Sequence, residues 1–154
     1  MTVGQVKVWR ASSAAGFCEA VLADPRHLRA RKREYLVTIA FAPHDCMVDT
    51  REGPVQALAG DAIVTGIAGE RWPVRADRVS AKYRPVPPGK DTYVSLPVEV
   101  LALQATGPFA VVLADGHSRI EGERGDYLVD YGDGSLGIVS APIFAATYHI
   151  IEAN

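Results

Sequence analysis

Cysteine is scarce in this chain: only Cys18 and Cys46 occur among 154 residues. Two isolated thiols make neither a disulfide framework nor a zinc cage, and in a reducing compartment they stay thiols that pack. Long apolar runs are missing as well. No stretch approaches the ~18 consecutive apolar residues of a membrane-spanning helix, and the opening MTVGQVKVWR lacks the basic cap and apolar run of an export signal. The expectation is a cytoplasmic protein with no membrane partner. Cations are short in one half. Residues 91–154 hold 2 Lys/Arg against 9 Asp/Glu, net −7, whereas residues 1–90 hold 14 against 9, net +5. Halves of opposite sign can take an anion on the basic side, or can pair electrostatically within one chain or between subunits. No nucleophile, acid–base or metal-ligand constellation stands out, so no catalytic residue, metal ligand or cofactor is assigned.

What is present is a core-sized apolar fraction and a repeat. About half of the residues are apolar, enough for one core or two small fused ones. GDAIVTGIAGERWPVRADRVSAKY at 60–83 returns without gaps as GDYLVDYGDGSLGIVSAPIFAATY at 125–148. Gly60/Gly125, Asp61/Asp126, Val64/Val129, Gly69/Gly134, Val74/Val139, Ala76/Ala141, Ala81/Ala146 and Tyr83/Tyr148 are identical pairs. Gly-Asp opens a strand, Ala62 to Thr65 is that strand, and Ile67 to Gly69 reverses the chain. Arg71 to Val74 returns, Ala76 to Ala81 suits one helical turn, and Lys82 to Val86 is a tyrosine-led strand.

Upstream of each copy lies a strand of period-2 character, YLVTIAFAP from Tyr35 and LPVEVLALQ from Leu96. In the second, Val98, Val100 and Ala102 share one face and Glu99 and Leu101 the other. SSAAGFCEAVLADP reads as an amphipathic helix capped by Ser12 or Ser13 and stopped by Pro25. The Pro-rich connector RPVPPGKD, 84–91, separates the copies. The expected fold is α+β and mainly β: two similar tandem units of antiparallel strands with short helical turns, preceded by one N-terminal helix. The segments are 1–34 (N-terminal strand and helix), 35–90 (basic copy) and 91–154 (acidic copy).

Pro97, Val98, Val100, Ala102 and Gln104, then Gly125, Asp126 and Tyr127, then Phe144, Thr147 and Tyr148 form a pattern that resembles the PGDYG-type domain. Those are small bacterial and phage proteins of unknown function, and here the domain looks doubled. Gly69, Glu70, Trp72 and Pro73 resemble a second version of its motif, while Arg124 and Ala59 stand where a leading proline is expected. Val79 and Lys82 likewise replace a Phe and a Thr. The resemblance implies domain limits and no chemistry.

Several local patterns carry less than they suggest. GDGSLG, 132–137, spells G-x-G-x-x-G but precedes IVSAP rather than a helix, so it reads as a hairpin turn and not a pyrophosphate loop. His44 near Cys46 has no second ligand cluster, and His27, His117 and His149 are scattered singles. RHLRARKR, 26–33, reads as a solvated helix end or connector, and nucleic acid ranks low as its partner.

The stronger candidate is the basic copy's set Arg71, Trp72, Arg75, Lys82 and Tyr83, with Arg78 nearby. Cations beside aromatic rings suit a nucleotide-like anion. The corresponding residues of the acidic copy are Leu136, Gly137, Ser140, Thr147 and Tyr148. Duplication explains shared turns and core positions but not this one-sided loss of charge. A non-catalytic binding or adaptor protein, recognising a small anionic ligand or a protein partner, ranks first. An enzyme acting on a phosphorylated or nucleotide substrate ranks second, with Asp61 and Asp126 as the carboxylates to suspect. An assembly protein whose oppositely charged halves pair between subunits, and so oligomerise, ranks third.

Overall fold

The computed structural model describes residues 6–12 and 16–153. In chain order its first strands are β1 (Lys7–Arg10), β2 (Leu28–Lys32), β3 (Leu36–Phe41), β4 (Cys46–Thr50), β5 (Gly53–Ala57), β6 (Ala62–Thr65), β7 (Arg71–Val74), β8 (Tyr83–Pro85) and β9 (Thr92–Ser95). Then come β10 (Glu99–Gln104), β11 (Phe109–Val112), β12 (Arg119–Gly122), β13 (Tyr127–Asp130), β14 (Leu136–Val139) and β15 (Tyr148–Ala153). The helices are short: α1 (Glu19–Ala23), α2 (Val79–Lys82, which continues a 3₁₀ turn at Ala76–Arg78) and α3 (Ala141–Thr147). The fold is strand-rich, and its pairings are antiparallel except for β1 beside β11.

Two five-stranded antiparallel sheets dominate, ordered β7-β6-β3-β9-β8 and β14-β13-β10-β2-β15. Their ladders correspond residue by residue. Val64 faces Ile39 as Val129 faces Ala102. Leu36 faces Val94 as Glu99 faces Arg31. Tyr83 faces Ser95 as Tyr148 faces Lys32. One strand of each sheet arrives from elsewhere in the chain: β2 directly precedes β3 but pairs with β10 and β15, while β9 directly precedes β10 but pairs with β3 and β8. Hydrogen bonding therefore crosses both 34/35 and 90/91.

Local chemistry explains the entries into β6 and β13. Gly60 and Gly125 adopt φ of +89° and +94°, a region open to glycine and closed to most side chains. The aspartate that follows each one holds the turn. Asp61 accepts the Leu58 N–H at 2.9 Å and the Ala76 N–H at 3.0 Å, and Asp126 accepts the Glu123 N–H at 2.9 Å. Both carboxylates thus accept backbone N–H groups, each from three residues back in the turn. The 131–135 reversal is likewise a hairpin turn between β13 and β14, in which Asp133 Oδ1 accepts the Ser135 N–H at 2.9 Å.

β10 is buried on both faces. Val100 and Ala102 pack with Ala30, Val129, Phe144 and Tyr148, whereas Leu101 and Leu103 face a separate cluster with Val21, Phe109, Val111 and Leu128. A third cluster, Val37, Ile39, Ala62, Val64, Val74, Val79 and Tyr83, lies on the other large sheet.

Two sequence readings need correction. The N-terminal helix is a single turn, Glu19–Ala23, with Cys18 as N-cap. Gly16 has a φ of +105° and bridges to Asp133, and the Ser12 N–H bonds the Gly134 carbonyl, so Ser12 and Gly16 both lie beside the 131–135 turn. Ser12 is therefore no cap, and Ser13 lies outside the described residues. The basic run, for its part, is neither helix end nor connector, because its Leu28–Lys32 is the interior strand β2. Alternation sends Ala30 and Lys32 inward, while Arg29 and Arg31 turn out to meet Glu99 at 3.7 and 3.0 Å.

Candidate functional site

A cavity of about 440 Å³ is lined by residues of the edge strands β7 and β14 and of α2 and α3. The sequence-predicted residues Arg71, Trp72, Arg75, Lys82 and Tyr83 all line it, as does Arg78. So do the residues 65 positions later in the chain: Leu136, Gly137, Ser140, Ile143, Thr147 and Tyr148. The cations at 71, 75, 78 and 82 thus have neutral counterparts 65 positions later, while Lys32 and Asp115 also line the cavity. Arg71 and Arg75 are exposed, Trp72 is half-buried against the β3–β6 cluster, and Tyr83 is buried.

Lys82 and Arg78 do not act as free charges. Both reach Asp133, at 3.4 and 3.1 Å, and Lys82 Nζ also lies 4.3 Å from the centroid of Tyr131. Burial alone would raise the Asp133 carboxyl; Lys82, the Ser135 hydrogen bonds and Arg78 outweigh it and hold it below its ordinary range. Burial dominates at Lys82 and pulls its ammonium down despite Asp133.

The residue that sequence reasoning missed is Lys32. It is 7% exposed and lines the cavity from β2. Its Nζ donates to the Tyr83 hydroxyl at 3.3 Å and lies 5.5, 6.0 and 5.1 Å from the ring centroids of Tyr35, Trp72 and Tyr83. Among the described residues no carboxylate pairs with it. Burial, then the nearby Lys82, brings its ammonium from 10.5 to about 7. Three rings offer a cation some stabilisation, but not the full charge balance of a salt bridge. The signal was present in LRARK, since strand alternation makes Lys32 an inward residue once Ala30 is inward.

Glu52, in the β4–β5 turn, and Glu70, just before β7, also line the cavity. Burial raises Glu52 to about 7, with Asp126 and Glu70 adding and Arg51 opposing. Glu70 Oε1 accepts the Ala68 N–H at 3.3 Å, while its buried Oε2 has no hydrogen-bond partner. Tyr131 and Tyr148, which are hydrogen-bonded to each other, face the lysines from the second sheet, and burial pushes the Tyr131 phenol up to about 12. His44 bonds only its neighbour's carbonyl, and the described residues hold no cluster suited to a metal ion.

The Gly-Asp-aromatic motif has its own place. Gly125 and Asp126 form the turn into β13, the Gln104 amide donates to the Gly125 carbonyl at 3.2 Å, and Tyr127 stacks on Phe144 at 3.9 Å. Phe144 stacks in turn on Tyr148 at 4.9 Å. These residues assemble the second sheet and its helix, and residues 53–149 match the family model of the PGDYG protein. The chain belongs to the PGDYG family. No curated protein and no solved structure matches it. Most of the cavity wall falls inside the matched region, whereas Lys32 and Tyr35 lie before it.

Proposed function

We propose that this PGDYG chain is a binding protein whose cavity takes a small anionic, nucleotide-like ligand. One observation carries the reading: residues 65 positions apart line a single cavity, and Arg71, Arg75, Arg78 and Lys82 stand where the later stretch has Leu136, Ser140, Ile143 and Thr147. Arg71 and Arg75 supply guanidinium forks for a phosphate or carboxylate, and Trp72 supplies a face for a planar group. The matching ladders support a reading as two tandem copies of one unit that have exchanged their leading strands, β2 and β9. The opposite charges of the halves are engaged inside the chain at Asp133, which favours the ligand reading over assembly by charged halves.

The test is a thermal-shift screen with mononucleotides, sugar phosphates and oligonucleotides, since a ligand that binds the folded state raises stability by mass action. Arg71→Ala and Arg75→Ala should each weaken binding of a hit by about 1.5–3 kcal/mol. Melting without ligand should barely move, because exposed cations contribute little to stability. A hit whose affinity is unchanged in both variants, or a screen without hits, overturns the reading.

A further inference from the structure

Among the cavity's cations, Lys32 is left without a task once Arg71 and Arg75 bind the ligand and Arg78 and Lys82 stay on Asp133. An amine buried in a ring of aromatics, beside a second lysine and without a carboxylate partner, is the setting that makes lysine a nucleophile. We propose that Lys32 Nζ forms an imine with a carbonyl group of the ligand, which makes the ligand class a small anionic aldehyde or ketone. The proposal rests on the anion-binding reading for the ligand's charge and on Lys32 alone for the bond.

The groups around Nζ fit the steps. Tyr83 holds its hydroxyl 3.3 Å away, Tyr35 and Trp72 close the sides, and Lys82 is kept on Asp133 together with Arg78. Glu70, Tyr131 and Tyr148 complete the titratable surroundings. With its ammonium lowered towards neutrality by burial, Lys32 carries a free lone pair near neutral pH far more often than an ordinary lysine does. That lone pair attacks the carbonyl carbon, a C–N bond forms, and the C=O π pair moves to oxygen. Nitrogen loses a proton and oxygen gains one, giving a carbinolamine. Burial keeps the Tyr83 phenol protonated, so its hydroxyl can accept one proton while passing on another. A second proton then lets oxygen leave as water while the nitrogen lone pair closes C=N, and release of the remaining N–H proton replaces the one consumed and gives the neutral imine. The balance is amine plus carbonyl to imine plus water, with no oxidant or reductant.

The chain's lysines are Lys7, Lys32, Lys82 and Lys90, so the site of an adduct is read directly by peptide mass mapping. The experiment treats the wild-type protein with pyridoxal 5′-phosphate, an anionic aromatic aldehyde, reduces with borohydride and follows each lysine in time. Lys32 should label at least about ten times faster than Lys7 or Lys90 at pH 7, given its larger neutral fraction. Its rate should rise through a pH of about 7. Labelling of Lys7 or Lys90 as fast as Lys32 overturns the proposal, and so does a preference for Lys82. Lys32→Met and Lys32→Arg should lose the fast adduct. If either fails to fold, the wild-type map still decides.

Two further probes separate this proposal from the one beneath it. Pyridoxine 5′-phosphate keeps the anion and has no aldehyde; pyridoxal keeps the aldehyde without the phosphate. Protection by the former without any Lys32 adduct from either aldehyde leaves anion binding standing and sinks the imine. Equal labelling of Lys32 by pyridoxal and pyridoxal 5′-phosphate, unaffected by Arg71→Ala and Arg75→Ala, upholds the imine and sinks the anion site.

Discussion

A Cβ on Gly66 would come within 2.8 Å of Cζ3 of Trp72. In the other sheet a Cβ on Gly137 would come within 2.9 Å of the Tyr131 hydroxyl. Tyr131 is the residue 65 positions after Gly66, and Gly137 the one 65 after Trp72. Each sheet thus fills this place with one aromatic and one glycine, on opposite members of the pair. Gly66→Ala should push the Trp72 ring and the Glu70 side chain outward and destabilise the protein by about 1–3 kcal/mol, the range for overpacking a filled site. Urea denaturation reads the stability, and tryptophan emission in a Trp9→Phe background reads the ring. Unchanged values in both would mean that the cavity wall is looser than this packing.

Lys32 and Glu52 give stability opposite pH dependences. The folded-state pKa of Lys32 is lowered to about 7 from 10.5, so between those values the unfolded chain binds the extra proton and stability rises with pH. For Glu52 it is raised to about 7 from 4.5, so its contribution is full below 4.5 and is lost as pH rises towards 7. Lys32→Met should therefore stabilise the protein most at or below pH 7, by an amount on the order of a few kcal/mol, with the gain shrinking towards pH 10. Glu52→Gln should flatten the fall between pH 4.5 and 7. A Lys32→Met difference independent of pH would place the ammonium in contact with water or with a carboxylate.

Asp133 ties the two halves through Arg78 and Lys82. Its carboxyl is held below the ordinary range, so the stability it supplies is present above pH 3.8 and disappears as pH falls through the lower folded value. Asp133→Asn leaves Lys82 buried without its counter-ion and should destabilise by about 1–3 kcal/mol. It should also lower the melting temperature less in Lys82→Met than in the wild type, and the double-mutant cycle measures that coupling. Additive losses would mean that the pair does not interact.

The readable parts of the fold were those set by neighbours in sequence. Gly-Asp turns, the alternation of Ala62–Thr65 and Arg71–Val74 and the hairpin glycines act within a few residues, and each stands where its residues predicted. Helix α1 is shorter because Ser12 and Gly16 bond to the 131–135 turn, a partner that no local pattern reveals. Strand β2 was hidden by its cations: Arg29 and Arg31 meet Glu99 across the ladder, a partner distant in sequence. The candidate set around β7, α2 and β8 was legible from the contrast with the residues 65 positions later, whereas Lys32 and Tyr131 join it only through pairings distant in sequence.

The placement of β2 beside β10 and β15, and of β9 between β3 and β8, predicts how the chain divides. A chain cut before Tyr35 keeps every strand of the β3 sheet but loses β2, which sits between β10 and β15 and buries Ala30 in their shared cluster. Residues 35–154 should therefore unfold without a cooperative transition in the second sheet, and adding residues 1–34 as a separate peptide should restore it. By the same logic residues 35–90 alone lack β9, the strand between β3 and β8, and should stay largely unfolded, since short strand sets without a complete sheet are marginal. Extending that piece to residue 96 supplies β9 and should recover strand signal by circular dichroism. A 35–154 chain that melts like the full protein, with Tyr148 still protected, would show that β2 is an added edge and not the interior strand of that sheet.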